Sequence, residues 1–173
     1  MTPEFSRPYK LDSLGQPRTV EIHAEPDECA ALAQRFGLQS LAALSARATL
    51  STSPEGIDVA GHMTASAVQS CVVTGDPIPV QIDQDFAVRF VAEDTDLGVE
   101  EIELSAEDCD IMEHDGQQID LGEAVAQTLG LALDPYPRSA NAEARLREAG
   151  VKSEEEAGPF GALAALKDKL QGK

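Results

Sequence analysis

The chain has 173 residues, with 31 Asp and Glu against 13 Lys and Arg and a formal net charge of -18. Apolar residues make up 42% and aromatic residues 4%, with no Trp, which fits one modest aliphatic core with tails rather than several domains. A field this acidic argues against autonomous binding to a phosphate backbone, and the three scattered cysteines, Cys29, Cys71 and Cys109, argue against a disulfide framework or a complete cysteine zinc site.

No apolar run reaches the roughly 18 residues that span a bilayer, and the first residues carry no apolar signal core. Cytoplasmic residence without membrane contact is the expectation. Residues 5–9 read as a short edge strand, where Pro8 is tolerated, and residues 11–17 as a loop. Residues 18–24 alternate and read as a strand. Glu25-Pro26-Asp27-Glu28 opens a helix: Pro26 suits the first turn, and the acidic side chains complement the positive end of the helix dipole. Cys29, Leu32, Ala33 and Phe36 form its apolar face, and Gly37 fits the C-terminal cap. Residues 38–44 read as a second short helix or turn packed through Leu41 and Leu44, and residues 46–51 as a strand.

Residues 56–90 form the centre of the chain. Ile57, Val59, Gly61, Met63 and Ala65 fall on one face, with Asp58, Ala60, His62 and Thr64 on the other. Val80 and Ile82 alternate again, and Phe86, Val88 and Phe90 are read one beat later, a slip that a bulge or bend would produce. Thr74-Gly75-Asp76-Pro77-Ile78-Pro79 supplies the turn. Two long antiparallel strands follow, with Cys71 just before the bend.

Residues 91–137 contain no Lys or Arg. Residues 99–104 read as a strand there. Residues 111–113 and 117–119 read as a hairpin across His114-Asp115-Gly116, since Asp-Gly is a favoured hairpin turn. Asp120 caps a helix, with Glu123 at capping-box spacing and a stripe of Leu121, Val125, Thr128, Leu129 and Leu133. Asp134-Pro135-Tyr136-Pro137 stops it. The expected organisation is one α+β domain over residues 1–138, a mobile linker over 139–158 with nascent helix at 141–148, and a short amphipathic tail helix over 159–173. The domain is an antiparallel β-sheet with a long central hairpin, partly covered by two or more helices. The tail stripe is Phe160, Leu163, Leu166 and Leu170.

Candidate chemistry is sparse. His23, His62 and His114 are scattered and read as surface histidines rather than metal ligands. Asp108-Cys109-Asp110 and Glu113-His114-Asp115 crowd carboxylates without calcium-loop spacing. Cys71 has no Lys, Arg or His beside it to lower its pKa and reads as a buried structural thiol. Gly-x-Ser-x-Gly, the P-loop and Gly-x-Gly-x-x-Gly are missing. No catalytic residue, cofactor or metal ligand is expected. Glu100, Glu101, Glu103, Glu107, Asp108, Asp110 and Glu113 form a candidate acidic surface for a partner protein.

Three stretches, residues 61–79 (GHMTASAVQSCVVTGDPIP), 119–138 (IDLGEAVAQTLGLALDPYPR) and 159–166 (PFGALAAL), resemble in order and spacing the YceD family of large ribosomal RNA subunit accumulation proteins, in its alphaproteobacterial form. The resemblance implies a small non-enzymatic factor supporting large-subunit ribosomal RNA accumulation and ribosome biogenesis. Its expected partner is a basic ribosomal or ribosome-assembly protein, with ribosomal RNA contacted indirectly. A direct RNA-binding protein using its basic ends is the first alternative; a cysteine- or metal-dependent enzyme is the second. The chain departs from many relatives, which carry Cys-x-x-Cys at the central turn and further cysteines after the Pro-rich stop. Here the turn reads Cys71-Val72-Val73-Thr74, and residues 137–150 hold no Cys.

Overall fold

A computed structural model describes residues 3–93 and 110–151. The strands are β1 (Pro8–Lys10), β2 (Arg18–His23), β3 (Ser40–Ser53), β4 (Gly56–Ser70), β5 (Pro77–Ala92), β6 (Asp110–His114) and β7 (Gln118–Asp120). The helices are α1 (Pro26–Arg35), α2 (Leu121–Ala132) and α3 (Ala142–Glu148). Five strands form one sheet in the order β2-β3-β4-β5-β6, and β1 pairs with β7 in a separate ribbon.

The chain divides into two units, Met1–Gln69 with Pro79–Pro135, and Ser70–Ile78 with Tyr136–Lys173. The first holds the core. β3 pairs antiparallel with both β2 and β4. Contacts of Ser66 with Gln81, His62 with Asp85 and Asp58 with Arg89 step along β4 and β5 at one constant antiparallel register. Alternation places Ile57, Val59, Met63 and Ala65 of β4, and Ile82, Phe86, Val88 and Phe90 of β5, in the buried core. Leu32 of α1 and Leu121, Val125 and Leu129 of α2 are fully buried in the same cluster. Cys29, Leu32 and Ala33 give α1 its inward stripe, and Gly37 follows the helix at φ +63°.

Four expectations need correction. Residues 38–44 hold neither helix nor turn, because β3 starts at Ser40. A register shift between Leu41 and Ala43 lets Leu41 and Leu44 both be buried, so a bulged strand imitates helical spacing. The slip expected in β5 is absent: Ile82 and Phe86 lie an even number of residues apart and share one phase, with exposed Gln84 between them. The hairpin across Asp115-Gly116 does not form. Its turn is built, with Asp115 Oδ1 accepting from the Gln117 and Gln118 amides at 2.9 and 3.1 Å and Gly116 at φ +80°. Its arms separate, however: β6 runs parallel to β5, whereas β7 pairs antiparallel with β1. The sheet is therefore not wholly antiparallel. Residues 93–109 exceed the dozen or so that a parallel crossover needs. The strand expected at 99–104 and the tail helix at 159–173 lie outside the described residues.

The ribbon of β1 and β7 fixes the start of α2. Asp120 Oδ1 accepts from the Glu123 amide at 3.2 Å and from the Arg7 amide at 2.8 Å, while its Oδ2 accepts from the Ser6 hydroxyl at 2.6 Å. One carboxylate thus caps the helix and fastens the N-terminal strand. The packing there is close enough that a Cβ on Gly122 would stand 2.6 Å from the Phe5 carbonyl oxygen.

In the second unit, Cys71 and Asp76 close a turn through the Cys71 amide to the Asp76 carbonyl at 2.8 Å, with Gly75 at φ +75°. The helix α3 occupies the stretch expected to be nascent helix. Gly150, at φ +80°, and Val151 donate to the Arg147 and Leu146 carbonyls, a Schellman closure.

Candidate functional site

Three arrangements bear on function. The first is the fate of the charged side chains in the first unit. Arg7 Nη1 and Nη2 donate to the two carboxylate oxygens of Glu28 at 2.7 and 2.8 Å. Arg35 grips both oxygens of Glu123 at 2.7 and 2.8 Å and donates to Glu4 at 2.9 Å. Arg89 Nε donates to Asp58 at 2.6 Å, and its guanidinium also meets Glu55. These hydrogen bonds hold the carboxyls of Glu28, Glu123 and Asp58 below their ordinary range. His62 stands between two aspartates, its Nδ1 2.8 Å from Asp85 and its Nε2 3.0 Å from Asp83. The hydrogen bond to Asp85, with the field of Asp83, pushes the imidazole pKa up. Both ring nitrogens can donate only in the cation.

The second arrangement is the β6 edge, where the expected acidic surface meets the described structure. Asp110 and Glu113 are exposed on β6, and no ion pair engages either among the described residues. Glu100, Glu101, Glu103, Glu107 and Asp108 lie outside the described residues, as do Phe160, Leu163, Leu166 and Leu170. His114 is half-buried at the end of β6, where its Nδ1 accepts from the Gly116 amide at 3.0 Å. His23 is exposed on β2, 3.3 Å from Glu25. The three histidines stand apart. Among the described residues no group of three His, Cys, Asp or Glu side chains is placed to hold a metal ion.

The third arrangement belongs to the second unit. Cys71 is 3% exposed, and its Sγ accepts from the Ser139 amide at 3.3 Å. Thr74 Oγ1 lies 3.4 Å from Ser139 Oγ and donates to Asp76 at 2.7 Å. Burial pushes the thiol up, but donors on Ser139 and Thr74 outweigh it and bring Cys71 down to about 6. The expectation that nothing lowers this thiol is corrected. No cation adjoins it in sequence, yet hydroxyl and amide donors do the same work. Ser139, far away in the chain, left no local signal.

The electrostatics of the three arrangements differ in kind. Paired carboxylates tie elements together, the thiol is held by neutral donors, and the β6 edge presents negative charge to solvent. Among the described residues no helix is long and apolar enough to cross a membrane.

The family model of the large ribosomal RNA subunit accumulation protein YceD matches residues 59–167. No curated protein and no solved structure matches the chain. The matched stretch starts in β4 and contains the Cys71 turn, β5, β6, β7, α2 and α3, which is well over half of the chain. The chain belongs to the YceD family of large ribosomal RNA subunit accumulation proteins.

Proposed function

We propose that the chain is a non-enzymatic, cytoplasmic accessory factor in large-subunit ribosome biogenesis, acting through contact with a basic ribosomal or ribosome-assembly protein. Ribosomal RNA is then touched indirectly. The observation that carries this reading is the contrast in charge use: the arginines Arg7, Arg35 and Arg89 are committed to internal carboxylates, while Asp110 and Glu113 face solvent with no ion pair among the described residues. A surface of this sign steers basic proteins in and repels a phosphate backbone. The direct RNA-binding alternative is weakened because Arg7, one of the front-end cations it needs, is bound to Glu28. The cysteine-enzyme alternative is weakened by the burial of Cys71.

Tagged purification from cells at low salt, with and without RNase, tests the reading. Basic ribosomal or assembly proteins should remain bound after RNase treatment. Loss of every partner on RNase treatment would replace this reading by direct RNA binding. A Cys71→Ala chain should support ribosomal RNA accumulation as the wild type does; a folded Cys71→Ala chain without activity would restore a chemical role for the thiol.

A further inference from the structure

The β6 edge carries more than charge. A cavity of about 200 Å³ opens between β6 and α2. Val88 and Met112 line it from the sheet, Ala124, Thr128 and Leu131 from the helix, and Asp110 stands among them. Ala124, Thr128 and Leu131 recur at helical spacing, so one face of α2 forms the wall. Thr128 donates its hydroxyl proton to the Ala124 carbonyl at 3.0 Å, which removes its polarity from the groove. Leu131 is 75% exposed, and Ile111, on β6, is 56% exposed. Leu131 stands open at the groove, beside half-buried Met112. β6 also ends the sheet, and among the described residues no strand pairs with its outer edge. A terminal strand offers a row of backbone donors and acceptors to another extended chain.

The charge of the groove decides what kind of chain fits. Apart from Val88, every lining residue comes from residues 91–137, which contain no Lys or Arg. Arg89, opposite Ile111 in the β5–β6 register, is turned to Asp58 and Glu55. Arg35, the cation bound to α2, grips Glu123. Asp110 and Glu113 are left as the charges of the edge.

We infer that β6 and the α2 groove together dock an extended basic segment of a protein partner, which adds a strand to β6, places an aliphatic or aromatic side chain over Met112 and Leu131, and sets Lys or Arg on its other face against Glu113, in the negative field that Asp110 adds at the start of the strand. This rests on the reading of a basic protein partner given above. It names the surface and the shape of what binds: a β-prone tail or arm rather than a folded basic face. Main-chain pairing supplies affinity, and the apolar anchor and the charges supply selection.

The test uses the full chain, isotope-labelled, titrated with a fluorescent peptide of alternating lysine and valine at low salt. An all-lysine peptide and an alternating glutamate–valine peptide serve as comparisons. The lysine–valine peptide should shift amide signals of Asp110, Ile111, Met112 and the 124–131 face of α2, and bind more tightly than all-lysine. Asp110→Lys with Glu113→Lys should weaken it more than about tenfold. Leu131→Ser, which leaves net charge unchanged, should weaken it about fivefold. Equal binding of lysine–valine and all-lysine, with shifts spread over the surface, would overturn the site, because diffuse charge would then explain everything. Signals of residues 152–173 moving on Leu131→Ser substitution would give the groove to the chain's own tail, and concentration-dependent shifts without peptide would give it to a second copy. A single-stranded RNA producing the same shifts would likewise overturn it. The outcome is separable from the functional reading. A basic partner that co-purifies undiminished with the Asp110→Lys, Glu113→Lys, Leu131→Ser chain sinks the docking site and leaves that reading standing. If no basic partner co-purifies with the wild type, the reading fails, and the titration still decides the groove.

Discussion

The first unit uses carboxylates in two opposite ways. Around α1 and the start of α2, Glu28, Glu123, Glu4 and Asp120 each hold an arginine, an amide or a hydroxyl, and each link joins segments distant in the chain. Along β6, Asp110 and Glu113 hold no cation among the described residues. Composition is acidic in both places, so local sequence does not separate them. The difference lies in where the few arginines are delivered by the fold. A paired carboxylate is a fastening; an unpaired one at a sheet edge is available to something else. Substitutions on the two sides should therefore differ in which measurement they move.

The largest effect is expected where the fastened region is packed most closely. A Cβ at Gly122 would stand 2.6 Å from the Phe5 carbonyl and 2.9 Å from the Arg7 amide nitrogen, both backbone atoms that cannot rotate away. Gly122→Val should cost about 3 kcal/mol, at the upper end of overpacking. Denaturant unfolding measures it, and a loss under about 1 kcal/mol would mean the N-terminal strand yields freely. Arg35→Met comes next. It removes a bidentate grip on Glu123, whose side chain is 18% exposed, the bond to Glu4, and the guanidinium that stands 5.3 Å from the centre of the Phe36 ring. An expected loss of about 1–2 kcal/mol lies between the values for a surface ion pair and a buried charged hydrogen bond. A neutral result would erase the contrast with β6.

Much of this framework was legible along the chain, and the failures have physical causes. Period-two patterns placed β4 and β5, and Asp120, Gly37 and the Pro-Tyr-Pro stop placed the helix ends, because each signal is local. Leu41 and Leu44 misled because a bulge in β3 shifts the phase of burial by one residue. The Asp115-Gly116 turn was read correctly as chemistry and wrongly as a hairpin. The partner of β7 is β1, with Pro8 opposite Asp120, and no nearby residue announces a pairing at that distance. The same limit hid the donors around Cys71 and the arginine that claims Glu123. The acidity of β6 was visible; the groove beside it was not, since it needs the parallel placement of β6 and one face of α2.

His62 is an intermediate case that sharpens the comparison, because its pairing with Asp83 and Asp85 depends on pH. The folded-state pKa is raised above the ordinary 6.5, so its contribution to stability is full below that value and is lost as pH rises through the folded value. His62→Gln should therefore destabilise the chain measurably below the ordinary 6.5, and the difference should shrink as pH rises through the raised folded-state value. Thermal unfolding of both chains across that interval checks it. An identical gap at both ends would mean the imidazole acts by packing or by neutral hydrogen bonds, and the aspartates beside it would then count as free.

The smallest expected effect on stability is the one that bears most on β6. Asp110→Asn with Glu113→Gln removes two carboxylates from a chain of net charge -18. Neither has a cation partner among the described residues, so no attraction is lost. Both side chains are exposed, so the amides meet water as well as the carboxylates did. What changes is the repulsion that a strongly negative chain exerts on itself in the compact state, which falls. Stability should stay within about 0.5 kcal/mol of the wild type and lean upward. The small gain should fade above about 0.1 M salt, where the screening length drops below about 10 Å. A drop comparable to that of Arg35→Met would show that these carboxylates are fastened after all, and β6 would then have nothing to offer a basic partner. An unchanged or raised unfolding midpoint, together with slower association of the co-purifying protein at low salt, separates charge kept for recognition from charge used in the fold.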